Sequence, residues 1–152
     1  MTTVLAILFG LLAAVTPHLT TATSASPTAA APARPGSTIK LFVDVIPDAK
    51  IHVYAPGAKD YLPIALEIAP AAGVTVGKLT YPKAQDLYFE PLNEHVPVFS
   101  APFRLVQDVT IGRAVKPGQS LTLTGVLKYQ ACDDKICFNP VSAPLSWTVT
   151  LK

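Results

Sequence analysis

An antiparallel β-sandwich of immunoglobulin-like type is the fold this sequence predicts. Three observations point to it. Several short segments alternate apolar and polar side chains, the period of a half-buried strand. Turn signals separate them, at Pro47-Asp48, Pro56-Gly57, Ala72-Gly73, Pro117-Gly118 and Asn139-Pro140. No stretch keeps helical periodicity over three turns. About seven short strands with frequent turns make an all-β sandwich, with an open barrel the lesser alternative.

The elements follow in order from Thr38. In "TIKLFVDVI", Ile39, Leu41, Val43 and Val45 share one face, with Lys40 and Asp44 on the other. "KIHVYAP" is a short strand stopped by Pro56 and Gly57. "LPIALEIA" follows, with Pro63 near its start, where proline suits a first or edge position. "GVTVGKLTYP" is another short strand. In "PFRLVQDVTIG", Phe103, Leu105, Val109 and Ile111 alternate with Arg104, Asp108 and Thr110. In "SLTLTGVLKYQ", Leu121, Leu123, Leu127 and Tyr129 share a face. "LSWTVTLK" alternates Leu145, Trp147, Val149 and Leu151 with small polar residues and Lys152, the pattern of a half-buried antiparallel strand. Residues 83–102 resist a strand reading because prolines and mixed charges interrupt them. They are expected to form a long loop around Tyr88, Phe89 and Phe99, either functional or merely anchored by these rings.

Ahead of Thr38 no core-forming pattern is visible. Residues 4–15 form an apolar run too short to span a bilayer, and Pro17 breaks it. The run suits a secretory signal, although no Lys or Arg precedes it and the first charged side chain is Arg34. The expected organisation is a signal over residues 1–25, a flexible Pro/Ala-rich spacer over 26–37, and one sandwich domain over 38–152. A short N-terminal membrane anchor is the alternative. Export, to the periplasm or beyond, is thus the expected location, and it permits disulfides.

Of 152 residues 14% are charged, the formal net charge is +2, and the Lys and Arg residues are scattered singly. Nucleic-acid binding needs a basic stripe that this chain lacks. No Ser-His-Asp arrangement, phosphate-cradling glycine loop or paired catalytic carboxylates is recognisable.

The chemistry concentrates in "KYQACDDKICFNP", residues 128–140, which holds both cysteines, Cys132 and Cys137. Zinc usually takes four ligands, and two cysteines with the scattered His52 and His95 make no recognisable site. No metal and no cofactor is therefore expected. A strand leads into Cys132 and another follows Cys137, so a four-residue connection can place the pair opposite each other, within disulfide reach. As a staple the bond is weak: the chain-entropy model gives about 2 kcal/mol for so short a loop, against about 4.7 for one of 100 residues. Asp133 and Asp134 disfavour a neighbouring thiolate by like charge, whereas Lys135 favours it. Structural disulfide and redox-active pair both remain open on spacing alone.

"YQACDDKICFNP" resembles the active-site segment of the N-terminal periplasmic domain of the thiol:disulfide interchange protein DsbD. The shared features are an aromatic-Gln-small-Cys lead-in, here Tyr129, Gln130, Ala131 and Cys132, then a short polar connection, and then Cys137, Phe138 and Pro140. The likeness extends loosely from "IHVYAP" to the terminal "LSWTVTLK". It implies an immunoglobulin-like fold with a redox-active Cys132–Cys137 pair flanked by Tyr129, Gln130, Phe138 and Pro140. It also implies a cap loop near residues 86–95, with Tyr88 or Phe89 as the ring that shields the pair. Partners implied are thioredoxin-like periplasmic oxidoreductases. Because the chain shows neither the family's membrane domain nor its thioredoxin-like domain, a separate membrane electron donor is expected. The Cys-x4-Cys spacing is shorter than in some members, and Phe138-Asn139-Pro140 replaces the more usual aromatic-Pro-Pro.

The neighbouring residues also have plainer readings. Tyr129 and Phe138 suit cross-strand packing. Trp147 suits the core. His52, with Tyr54 two residues on, lies in a strand that the resemblance places near the pair. The expected function is thus an exported thiol-disulfide exchange domain that relays electrons through Cys132 and Cys137. The alternative is a non-catalytic binding or assembly domain that presents residues 83–102, with the disulfide bracing a turn.

Overall fold

A computed structural model describes residues 13–27 and 33–152. The elements are β1 (Ala13–Thr16), β2 (Leu19–Pro27), β3 (Thr38–Pro47), β4 (His52–Tyr54), β5 (Ala65–Ile68), β6 (Val74–Thr80), β7 (Gln85–Phe89), β8 (Glu94–Phe99), β9 (Phe103–Ile111), β10 (Ser120–Tyr129), β11 (Ala131–Cys132) and β12 (Val141–Thr150). A single 3-10 turn, Glu90–Leu92, lies between β7 and β8, and no α-helix occurs among the described residues. All named strand pairs are antiparallel.

Two sheets form the sandwich, one ordered β1-β2-β3-β9-β6 and the other β12-β10-β5. Their inward residues are those the alternation marks. Ile39, Leu41, Val43 and Val45 of β3 meet Leu123 and Leu127 of β10 and Leu145, Trp147 and Val149 of β12 in one buried core. The Trp147 indole N–H donates to the Phe42 carbonyl at 3.0 Å, tying the two sheets across that core. One inward position of β9 is polar. Gln107 is buried, and its amide donates to the carbonyls of Gly77 (2.9 Å) and Asp108 (3.0 Å). The register shift between Val76 and Leu79 in β6 marks the bulge that turns the Gly77 carbonyl toward it. Pro144 is accommodated because β12 is an edge strand.

A third sheet, ordered β11-β4-β8-β7, carries its own small cluster of Tyr54, Val96, Val98 and Cys132. It positions the cysteines.

Two expectations are corrected. Residues 83–102 are mainly a hairpin, not a long loop: β7 pairs with β8 from Gln85↔Val98 to Phe89↔Glu94. Pro97 hid the alternation that buries Val96 and Val98, yet its carbonyl still accepts from the Ala55 N–H at 2.9 Å. Asn93 makes the turn possible by adopting φ 51°, a left-handed conformation that Asn tolerates. The ordered chain also begins before Thr38. β2 pairs with β3 along its whole length, from Leu19↔Pro47 to Pro27↔Ile39, and Leu19 and Thr21 are buried. Backbone pairing to an otherwise open strand, rather than apolar content, places this Thr/Ser/Ala-rich segment. The expected signal over 1–25 lies partly outside the described residues, as does the centre of the expected spacer over 26–37.

Candidate redox site

β10 ends at Tyr129, and after Gln130 the chain enters the third sheet as β11. Ala131 pairs with Val53 and Cys132 with His52. The chain then turns and returns at Cys137, which bridges back to Cys132. The turn is held by its own polar groups. The Asp133 N–H donates to the Ile136 carbonyl at 2.9 Å, and the Asp133 carboxylate accepts from the Lys135 and Ile136 N–H groups, both at 2.7 Å. Those backbone donors, that of Ile136 first, hold the Asp133 carboxyl below its usual range. Beyond the turn, Gln130 fastens the outgoing strand: its side-chain N–H donates to the Phe138 carbonyl at 3.0 Å, while the Phe138 N–H donates to the Ala131 carbonyl at 2.8 Å.

This frame brings Cys132 and Cys137 into a disulfide, with Cα atoms 4.0 Å apart. The two sulfurs have unequal surroundings. Cys132 is 1% exposed within the small cluster, whereas Cys137 is exposed at the rim of a cleft of about 590 Å³. Tyr54 forms part of the cleft wall, its hydroxyl 3.7 Å from the Cys137 sulfur. Tyr61 stacks on Tyr54, ring centroids 4.2 Å apart, and donates to the Glu94 carboxylate at 2.9 Å. The β7–β8 hairpin adds Leu87, Tyr88, Phe89 and Leu92 to the cleft lining. Tyr88 donates to the Asn93 side chain at 3.0 Å, and His95 pairs with Asp86 at 2.7 Å, so the hairpin tip is internally braced.

Cys137, Tyr88 and Phe89 therefore line one cleft, while Cys132 is buried and joined to Cys137 by the disulfide. The remaining flanking residues do other work. Tyr129 is buried in the main core, and its hydroxyl donates to Pro17 O of the β1–β2 turn (2.7 Å) and lies 3.0 Å from Thr16 Oγ1. Phe138 stacks on His18 of that same turn, ring centroids 3.9 Å apart. Pro140 is exposed where the chain leaves the site for β12. Tyr61 and Lys50, which sequence reasoning did not single out, line the cleft together with His52. For Tyr61 no local signal existed, because only the fold brings its loop against Tyr54. Burial pushes the His52 imidazole below its usual range, with Asp133 opposing the shift. Among the described residues no cluster of three or more His, Cys, Asp or Glu side chains is arranged to hold a metal ion.

Chemically, this is a disulfide with one sealed and one approachable sulfur, set in an apolar, aromatic-walled cleft. The structure of the N-terminal periplasmic domain of ScsB from Proteus mirabilis is similar in fold, with TM-score 0.58 and 12% identity over 91% of this chain and 50% of that one. This chain thus spans about half the length of that structure. A family 123 glycoside hydrolase from Clostridium perfringens also matches, at TM-score 0.36 and 11% identity over 77% of this chain and 21% of that one, too weakly to carry an argument. No protein of curated function matches. The family model for the N-terminal part of the thiol:disulfide interchange protein DsbD matches residues 20–145, a span that includes both cysteines and the β7–β8 hairpin. The chain belongs to the DsbD N-terminal family.

Proposed function

We propose that this domain exchanges electrons with thioredoxin-like partners outside the cytoplasm through the Cys132–Cys137 pair, with Cys137 as the sulfur that meets the partner. The observation that carries this reading is the unequal exposure of the two sulfurs. An incoming thiolate reaches Cys137 through the cleft but not Cys132. Attack at Cys137 Sγ forms a mixed disulfide, and the electron pair of the broken S–S bond stays on Cys132 as thiolate. A second thiol of the donor then attacks its own sulfur in the mixed disulfide. That step releases Cys137 as thiolate and leaves the donor oxidised. In the forward relay the Cys137 thiolate attacks an acceptor disulfide, and Cys132 resolves the adduct and restores the intramolecular bond.

Tyr88 and Phe89 are the rings we assign to shielding Cys137 between encounters, since both line its cleft. Trapping tests the assignment of the two sulfurs. Cys132→Ser, which leaves Cys137 free, is expected to accumulate a mixed disulfide with a thioredoxin-like protein. Cys137→Ser is expected to accumulate little. Absence of an adduct with Cys132→Ser would overturn the reading.

A further inference from the structure

His52 stands apart from the rest of the site. It is directly opposite Cys132 in the β4–β11 register, which puts the two side chains on one face, with Cβ atoms about 4.5–5.5 Å apart. Tyr54, on the same face two residues on, meets His52 edge-on at 5.5 Å and reaches Cys137 with its hydroxyl. Yet His52 Nε2 is buried and has no hydrogen-bond partner. An unpaired buried polar group costs stability, so its retention beside the cysteines calls for a cause. In the disulfide neither sulfur carries a proton or a full charge. On reduction Cys132 becomes a thiol or thiolate, which offers the imidazole a partner.

We propose, building on the exchange reading above, that His52 is the proton partner of Cys132. When Cys137 is attacked and Cys132 leaves as thiolate, protonated His52 stabilises that thiolate and gives it the proton. When Cys132 resolves a mixed disulfide, neutral His52 takes the thiol proton as the sulfur attacks Cys137. The proton moves between Nε2 and Sγ, and the electrons follow the S–S bonds. The groups that line the cleft with the imidazole fit this role. Lys50 and Tyr54 come from its own segment, and Asp133, Asp134 and Lys135 from the cysteine turn. Tyr61 and Tyr88 also line the cleft, with Glu94 held by Tyr61. Asp133 is the carboxylate whose field favours the protonated ring, and burial favours the neutral one. Burial is the larger of the two influences, so the pKa of the ring lies below its usual value.

The test is the rate of reduction of the intact chain by dithiothreitol between about pH 5 and 8, divided by the concentration of reductant thiolate. The wild-type rate constant is expected to rise as pH falls through the His52 midpoint. His52→Gln, which keeps a polar side chain but cannot titrate, is expected to lose that rise and to react on the order of 10- to 100-fold more slowly at the acid end. A variant with native near-ultraviolet circular dichroism and an unchanged pH profile overturns the proposal. Should His52→Gln not fold, titration of the His52 ring by NMR in wild-type protein decides. A midpoint that moves between disulfide and dithiol forms supports the proposal, and an identical midpoint overturns it. Failure of the exchange reading shows elsewhere, as wild-type protein that exchanges with no thioredoxin-like protein.

Discussion

Asp133 orders the turn between the cysteines, because its carboxylate accepts two backbone N–H groups. Its folded-state pKa is therefore lowered, and the unfolded chain binds more protons through the acid range. The stabilisation is fully present above the usual carboxylate value of about 4 and fades as pH falls through the lowered one. Asp133→Ala is accordingly expected to lower the thermal midpoint at pH 7, with the deficit closing toward pH 2 in a pH series of melting curves. A constant deficit would contradict this. The cysteines and their turn are legible in the sequence, since neighbours a few residues apart define them. Tyr54 and His52 were partly legible, because the family resemblance places their strand near the pair. Tyr61 was not, because its place depends on a loop folding back onto Tyr54, which no local pattern encodes.

At the scale of elements, the β7–β8 hairpin is the part most open to test. It forms a wall of the cleft with Tyr88 and Phe89, and Tyr88 is 50% exposed. If it limits access to Cys137, a Tyr88→Ala/Phe89→Ala variant is expected to be reduced by dithiothreitol several-fold faster than wild type at one pH. An unchanged rate would remove the shielding role while leaving the cysteine chemistry intact. The hairpin itself was hidden in the sequence by Pro91, Pro97 and the mixed charges. β3, β9, β10 and β12 were legible because each buries one face of a long alternating segment. β2 was illegible for the opposite reason: its place comes from backbone pairing with β3, and its Thr, Ser and Ala side chains carry little apolar pattern. A chain beginning at Ala33 would lack β1, β2 and the partners of the Tyr129 hydroxyl and Phe138 ring. It is expected to unfold at lower denaturant than the full chain, by urea titration followed at Trp147. Equal midpoints would show that the N-terminal hairpin adds nothing to the fold.

For the whole molecule, two sheets share one buried core, and a third, smaller sheet carries the cysteines. Its core carries the stability: Leu127→Ala, at a fully buried position, is expected to cost about 2–5 kcal/mol by chemical denaturation without changing which sulfur reacts. The cysteine bond is expected to contribute little by comparison, since it closes only a six-residue loop, 132 to 137. A bond that stabilises so little, with one sulfur sealed and the other at the cleft rim, suits exchange better than bracing. The equilibrium redox potential of the Cys132–Cys137 pair, measured against a thioredoxin-like dithiol, tests this most directly. An exchange role predicts ready equilibration and a potential less negative than about −300 mV. A potential well below that value, with no exchange, would contradict it.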